Sequence, residues 1–244
     1  MNMTESSLAT FFERIYIINL ASRQDRREEM QVELQKIGLS LSHPAVQLFD
    51  AVRPSVRGEW PSVGARGCFM SHLSVLKDAE AKGYRNILIF EDDVSFIKGF
   101  KDKIDVTLKA LGMSRWDIFY GGYEAADRKY WILNNDPLNI IEPGVPLGTT
   151  HFVAFNRSVI EELRKYLDLM INRKCGDPKG GPMHVDGAYS WFRIENSKIV
   201  TIAAVPELGH QRSSRTDIHD LKWKDKIPIL KSFVGVARKI RNFF

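Results

Sequence analysis

Cysteine is scarce in this chain: Cys68 and Cys175 are the only two in 244 residues. They make no disulfide framework and have no metal-ligand spacing, which fits a reducing compartment. Met1 to Thr10 carries no basic n-region and no apolar h-region, so no signal peptide is expected. No uninterrupted apolar run approaches the roughly 20 residues that span a bilayer. Internal repeats and low-complexity segments are absent too. A cytoplasmic protein of one large domain or two small ones is expected, long enough to bury a sizeable core. Its net charge of +5 is modest. A basic face alone is usually solvated surface, so no nucleic-acid partner is expected.

What is present centres on Asn86 to Val94, Asn-Ile-Leu-Ile-Phe-Glu-Asp-Asp-Val. Four apolar residues read as a buried strand. Glu91, Asp92 and Asp93 follow directly. Side chains alternate along extended backbone, so Glu91 and Asp93 should share one side and Asp92 the other. Close like charges raise one another's pKa or need a cation between them. A hard divalent metal, which oxygen ligands suit, is the simplest relief. The plain alternative is a solvated acidic loop in which Asp92 or Asp93 caps the next helix.

Other strands are expected within Phe11–Leu20 and over 48–52, 116–120, 150–155 and 199–205. Helices are expected over 28–37, 68–82, 100–111, 159–170 and 185–194. Residues 123–148 read as a long irregular excursion. Strands alternating with helices argue for an α/β fold, a mainly parallel sheet with helices on both faces.

Three further clusters sit at strand ends or in loops. The first is Asn19, Arg23, Asp25, Arg26 and Arg27, a strand, turn and helix start of anion-binding character. The second is Gly64-Ala65-Arg66-Gly67, read as a turn before a helix, followed by Ser71 and His72. It is not the dinucleotide fingerprint. His72 lies off the apolar stripe and could face a cleft or water. The third is late. Asp186, in His184-Val185-Asp186-Gly187, is either a general base or a helix N-cap. His210, Arg212 and Arg215 follow the last strand and suit a diphosphate and its metal; a polar exit loop is the alternative.

Three blocks carry a resemblance: Ile-Ile-Asn-Leu-Ala-Ser-Arg-Gln-Asp-Arg-Arg-Glu-Glu-Met, Gly-Cys-Phe-Met-Ser-His-Leu-Ser-Val-Leu and Leu-Ile-Phe-Glu-Asp-Asp-Val. In that order they resemble glycosyltransferase family 25, which holds bacterial lipo-oligosaccharide and collagen galactosyltransferases. The matching blocks run from about Ile15 to Gly122. The resemblance implies a GT-A-type nucleotide-sugar fold and an inverting transfer. It implies a UDP-hexose donor, most often UDP-galactose, and Glu91-Asp92-Asp93 as the Asp-x-Asp-type motif. Asn19, Arg23, Asp25 and Arg26 match its first block, assigned to nucleotide binding; Gly67, Ser71 and His72 match its second.

Together these give a working expectation. Glu91, Asp92, Asp93 and His210 hold Mn²⁺ or Mg²⁺, Arg212 and Arg215 complete the phosphate side, and Asp186 is the base. Tyr123, Trp131 and Trp191 are candidate sugar platforms. The acceptor is a glycan or lipid-linked saccharide, such as lipopolysaccharide core. A catalytic domain spans 1–220. The tail, 221–244, holds seven basic residues against one acid, interleaved with apolar ones. It suits an anionic membrane surface, or packs on the protein. Two other classes remain open: a non-catalytic sugar-nucleotide or glycan binder, and a metal-dependent phosphoryl-transfer enzyme, which lacks a second acidic cluster.

Overall fold

The structure, a computed structural model, describes residues 6–125 and 136–212. Its strands are β1 (Arg14–Asn19), β2 (Val46–Asp50), β3 (Asn86–Glu91), β4 (Val94–Phe96), β5 (Ile118–Ala125), β6 (Leu138–Ile141), β7 (Leu147–Asn156), β8 (Thr201–Ala204) and β9 (Gly209–Gln211). Its helices are α1 (Ser7–Phe11), α2 (Gln24–Lys36), α3 (Val63–Lys82), α4 (Phe100–Gly112), α5 (Arg157–Ile171) and α6 (Val185–Glu195).

Seven strands form one sheet in the order β2-β1-β3-β7-β5-β8-β6, and β4 pairs with β9 apart from it. β1 runs parallel to β2 and β3, and β5 parallel to β8. β7 runs against both β3 and β5, and β6 against β8. The sheet is therefore mixed, with most strands pointing one way. Both faces are covered, so the central strands are apolar along their length. Tyr16, Ile18, Ile87 and Ile89 face one core with Phe69, Leu73, Leu76 and Ala79 of α3. Ile15, Ile17, Leu88 and Phe90 face the other, with Met30 and Leu34 of α2 and Ile104, Leu108 and Leu111 of α4.

Several boundaries differ from the sequence reading, each for a local reason. α3 begins at Val63, where the Ser62 side chain accepts from the Ala65 N–H at 3.0 Å. Gly64 to Gly67 is thus the start of the helix and not a turn before it. α2 begins at Gln24, before its apolar stripe. β5 runs through Gly121-Gly122, where strand β7 comes close: a Cβ on Gly121 would sit 2.4 Å from the Phe152 ring. The irregular excursion contains β6 and the start of β7, which leaves 126–135 outside the described residues. Among the described residues, no helix is long and apolar enough to cross a membrane.

Candidate functional site

β3 ends at Glu91, and Asp92 and Asp93 form the turn into β4. All three are buried. The alternation expected of a strand stops at Glu91, so Asp92 and Asp93 are not on opposite sides. Arg26 Nη1 lies 2.8 Å from Asp92 and 3.6 Å from Asp93. Asn19 Nδ2 donates to Asp92 at 2.7 Å. Gln211 Nε2 donates to Asp93 Oδ2 at 3.1 Å. On the α3 side, Thr150 Oγ1 donates to Glu91 at 2.6 Å. These bonds exclude the solvated loop and the helix cap.

The electrostatics separate the three acids. Burial and the Glu91 charge push Asp93 up to about 7, against the pull of Arg26. Burial also raises Asp92, although Arg26 and Asn19 oppose it. Burial works on Glu91 in the same direction, but His72 and Thr150 outweigh it and leave that carboxyl below its ordinary range. Asp93 Oδ1 is buried with no hydrogen bond among the described residues. A buried carboxylate oxygen without a donor, beside a second acid, fits a hard divalent cation. Asp93 and Glu91 are the residues to hold it. Both oxygens of Asp92 already accept from the protein.

A cleft of about 270 Å³ opens against the acids. Arg23 and Arg26 line one wall, Val52 to Pro54 and Gly67 another, and Glu91 and Asp92 reach its floor. The first two sequence clusters therefore converge on the acids. Gly67 makes this possible, because a Cβ there would stand 2.6 Å from the Val52 carbonyl.

Individual side chains within those clusters take different parts. Asp25 is exposed and paired with Arg23 at 2.8 Å, a bond that lowers its carboxyl to about 2. Ser71 is buried; it donates to the Gly67 carbonyl and accepts from the Val52 N–H. It staples α3 to the cleft wall. His72 faces neither water nor the open cleft. It is fully buried, with Nδ1 2.9 Å from the Tyr189 hydroxyl. Its Nε2 lies 3.4 Å from Glu91 Oε1, close enough to attract the carboxylate but not aligned as a hydrogen bond.

Asp186 sits in the first turn of α6, where His184 is the N-cap. Its Oδ2 accepts from the Thr149 N–H at 3.1 Å and its Oδ1 from the Gly187 N–H at 2.7 Å. It lies on the acid side of the sheet. The thiol of half-buried Cys68 is raised by desolvation first, and then by the charges of Glu91, Asp186, Asp93 and Asp92. Thr149 holds a left-handed backbone, φ 64°, which a β-branched residue rarely adopts. Its hydroxyl meets His151 Nδ1 at 3.0 Å.

Arg212 grips the acid turn from behind. Its guanidinium donates to the carbonyls of Asp92 and Val94, and its own N–H donates to the Asp93 carbonyl. It also pairs with Glu29 at 3.2 Å. His210 is exposed on β9, opposite Ser95, and it is the neighbouring Gln211 that bonds Asp93. Tyr123 is buried, with its hydroxyl on the Ala204 carbonyl, and serves the core. Trp191 is partly exposed. Arg215, Trp131 and the tail 221–244 lie outside the described residues.

Sequence reasoning missed Cys68, Thr149, Thr150, His151, Tyr189 and Gln211. One signal was available: Cys68 and His72 are four residues apart, the spacing of one helix face. The threonines carry no such mark.

A sheet of this order, with a basic cleft and acids at the end of a central strand, defines an α/β fold of the GT-A type. Residues 12–130 match the model of glycosyltransferase family 25 (LPS biosynthesis protein), so that stretch is similar to this family. It is 28% identical over 129 residues to the human "Inactive glycosyltransferase 25 family member 3", covering 46% of this chain and 22% of the relative. It is 26% identical over 129 residues to Xenopus laevis procollagen galactosyltransferase 1-A, covering 46% and 21%. A Drosophila melanogaster glycosyltransferase 25 family member is 27% identical, covering 65% of this chain and 29% of the relative. The chain thus spans about a quarter of the length of the curated relatives it matches. Among solved structures, a glycosyltransferase involved in glycosylation of the PBCV-1 major capsid superposes with a TM-score of 0.49, at 14% identity, covering 83% of this chain and 96% of that one. The fold assignment rests on the strand order and not on that overlay.

Proposed function

We propose that this chain is a metal-dependent inverting glycosyltransferase. It moves a hexose, galactose by preference, from a UDP-sugar to a hydroxyl of a cell-surface glycan such as lipopolysaccharide core. One observation carries the reading: a cleft of about 270 Å³ with three arginines, Arg23, Arg26 and Arg53, on its walls and buried acids at its floor. Guanidinium forks suit a diphosphate, and the acids beside them suit its metal.

In this reaction the bond from the sugar's anomeric carbon to the diphosphate oxygen breaks, and a bond to the acceptor oxygen forms on the opposite face. Arg23 and Arg26 bind and orient the diphosphate. Glu91 and Asp93 would hold Mn²⁺ or Mg²⁺, and the ion would supply charge neutralisation for the departing UDP. Asp186 takes the acceptor's hydroxyl proton, and Thr149 holds its carboxylate in place. Arg212 keeps the acid turn in position.

The test is a panel of UDP-sugars, each assayed for hydrolysis and transfer with Mn²⁺ and with excess chelator. UDP-galactose should turn over fastest, and chelator should stop it. Undiminished turnover in chelator overturns the metal. Absent UDP binding, with tight binding of another nucleoside diphosphate, overturns the donor. Relatives named inactive favour a second reading, a sugar-nucleotide binder without turnover. Binding of UDP-galactose with no release of UDP would establish that reading instead.

The location follows from the acceptor. The protein works in the cytoplasm on the inner face of the membrane, held there by the basic, apolar tail 221–244.

A further inference from the structure

Cys68, His72 and Glu91 bring a thiol sulfur, an imidazole nitrogen and a carboxylate oxygen within 4.8 Å of one another. We propose that these three side chains form a binding site for a zinc-class divalent ion, a second ion position that shares Glu91 with the diphosphate metal. The inference does not depend on sugar transfer, no step of which requires this ion.

The first argument is placement. Cys68 and His72 share one face of α3, and Glu91 arrives from the end of β3. Cys68 and Glu91 also line the cleft, which gives an ion a way in. Three ligands and a fourth position open to the cleft make the arrangement of an accessible zinc centre.

The second argument is how the ligands are held. His72 is fully buried, and its Nδ1 meets the Tyr189 hydroxyl at 2.9 Å. A bound cation would take the Nε2 lone pair once the ring proton sits on the Tyr189 side, replacing the present attraction of His72 for Glu91. Nε2 has no hydrogen bond among the described residues. Thr150 donates to Glu91 Oε1 at 2.6 Å and orients the carboxylate. Metal-ligating histidines and carboxylates are held by outer partners of this kind.

The third argument is chemistry. Mixed sulfur, nitrogen and oxygen ligands select zinc and its neighbours over magnesium or calcium, which prefer oxygen throughout. Bonds of roughly 2.0–2.3 Å in a tetrahedron put ligand atoms about 3.5 Å apart, so the cluster must contract by about 1 Å. As the thiol binds, its proton leaves to solvent.

The test uses the full chain carrying Cys175→Ser, stripped of metal and titrated with Co²⁺. A thiolate-to-cobalt charge-transfer band should grow to one equivalent and vanish when Zn²⁺ is added. Cys68→Ser should remove the band and weaken zinc binding in equilibrium dialysis by more than tenfold. Tyr189→Phe should keep the band and loosen zinc roughly tenfold. Asp93→Asn should change neither. A chain that retains its circular dichroism but shows no sulfur band overturns the site without recourse to any Cys68 variant. Zinc affinity unaltered by Cys68→Ser overturns it too, and means that the ion sits on carboxylates alone. Loss of UDP-sugar turnover moves none of these readouts, so the two proposals fail separately.

Discussion

Asp93 is a carboxylate that the fold disfavours in its charged form. Burial and Glu91 hold its pKa at about 7, against an ordinary 3.8. Between those values the folded state keeps a proton that the unfolded chain has lost. Stability in chelator should therefore fall as pH rises from about 4 to about 7. Asp93→Asn should flatten that slope and stabilise the metal-free protein at pH 7.5 by up to about 4 kcal/mol, measured by urea unfolding. The same variant should lose manganese-dependent turnover. Asp186→Asn behaves differently. An amide oxygen still accepts from Thr149 while the bond from the Gly187 N–H is lost, so the fold should persist with a small loss of stability and UDP affinity should change little. Turnover should drop roughly 10²- to 10⁴-fold in a transfer assay. The acids were legible because three carboxylates after an apolar run are conspicuous in sequence. Gln211 and Thr150 were not, since a lone amide or hydroxyl gains meaning only from the element that delivers it.

At the scale of elements, α3 brings the second sequence block to the cleft, and its approach depends on Gly67. Gly67→Ala would drive a methyl into the Val52 carbonyl, at 2.6 Å. The helix or the 52–54 wall has to shift, at a cost of roughly 1–3 kcal/mol. UDP affinity by calorimetry should fall with stability. Helix stripes and buried strands were readable from periodicity. Phe69, Leu73, Leu76 and Ala79 of α3 face one core, as their spacing requires. The start of α3 was hidden by two glycines that look like a turn until Ser62 is seen to cap them. β4 and β9 were hidden as well. Strands of three residues have too little pattern to show a period.

For the whole molecule, charge is unevenly distributed. Residues 221–244 carry seven basic groups against one acid, a net +6, while the full chain is +5. The rest is close to neutral, so attraction to an anionic surface should reside in that tail. Deleting 221–244 should abolish sedimentation with anionic liposomes at low salt and spare transfer to a soluble acceptor. Binding that survives the deletion would place the attraction elsewhere. The order in which the chain is made also matters. Residues 91–93 emerge early, yet Gln211 and Arg212 hold them from the far end of the described chain. A nascent chain that has reached residue 200 already has β3 and its three acids, but neither Gln211 on Asp93 nor the Arg212 fork on the turn. The acid turn is therefore closed late in synthesis, well after the strand that bears it.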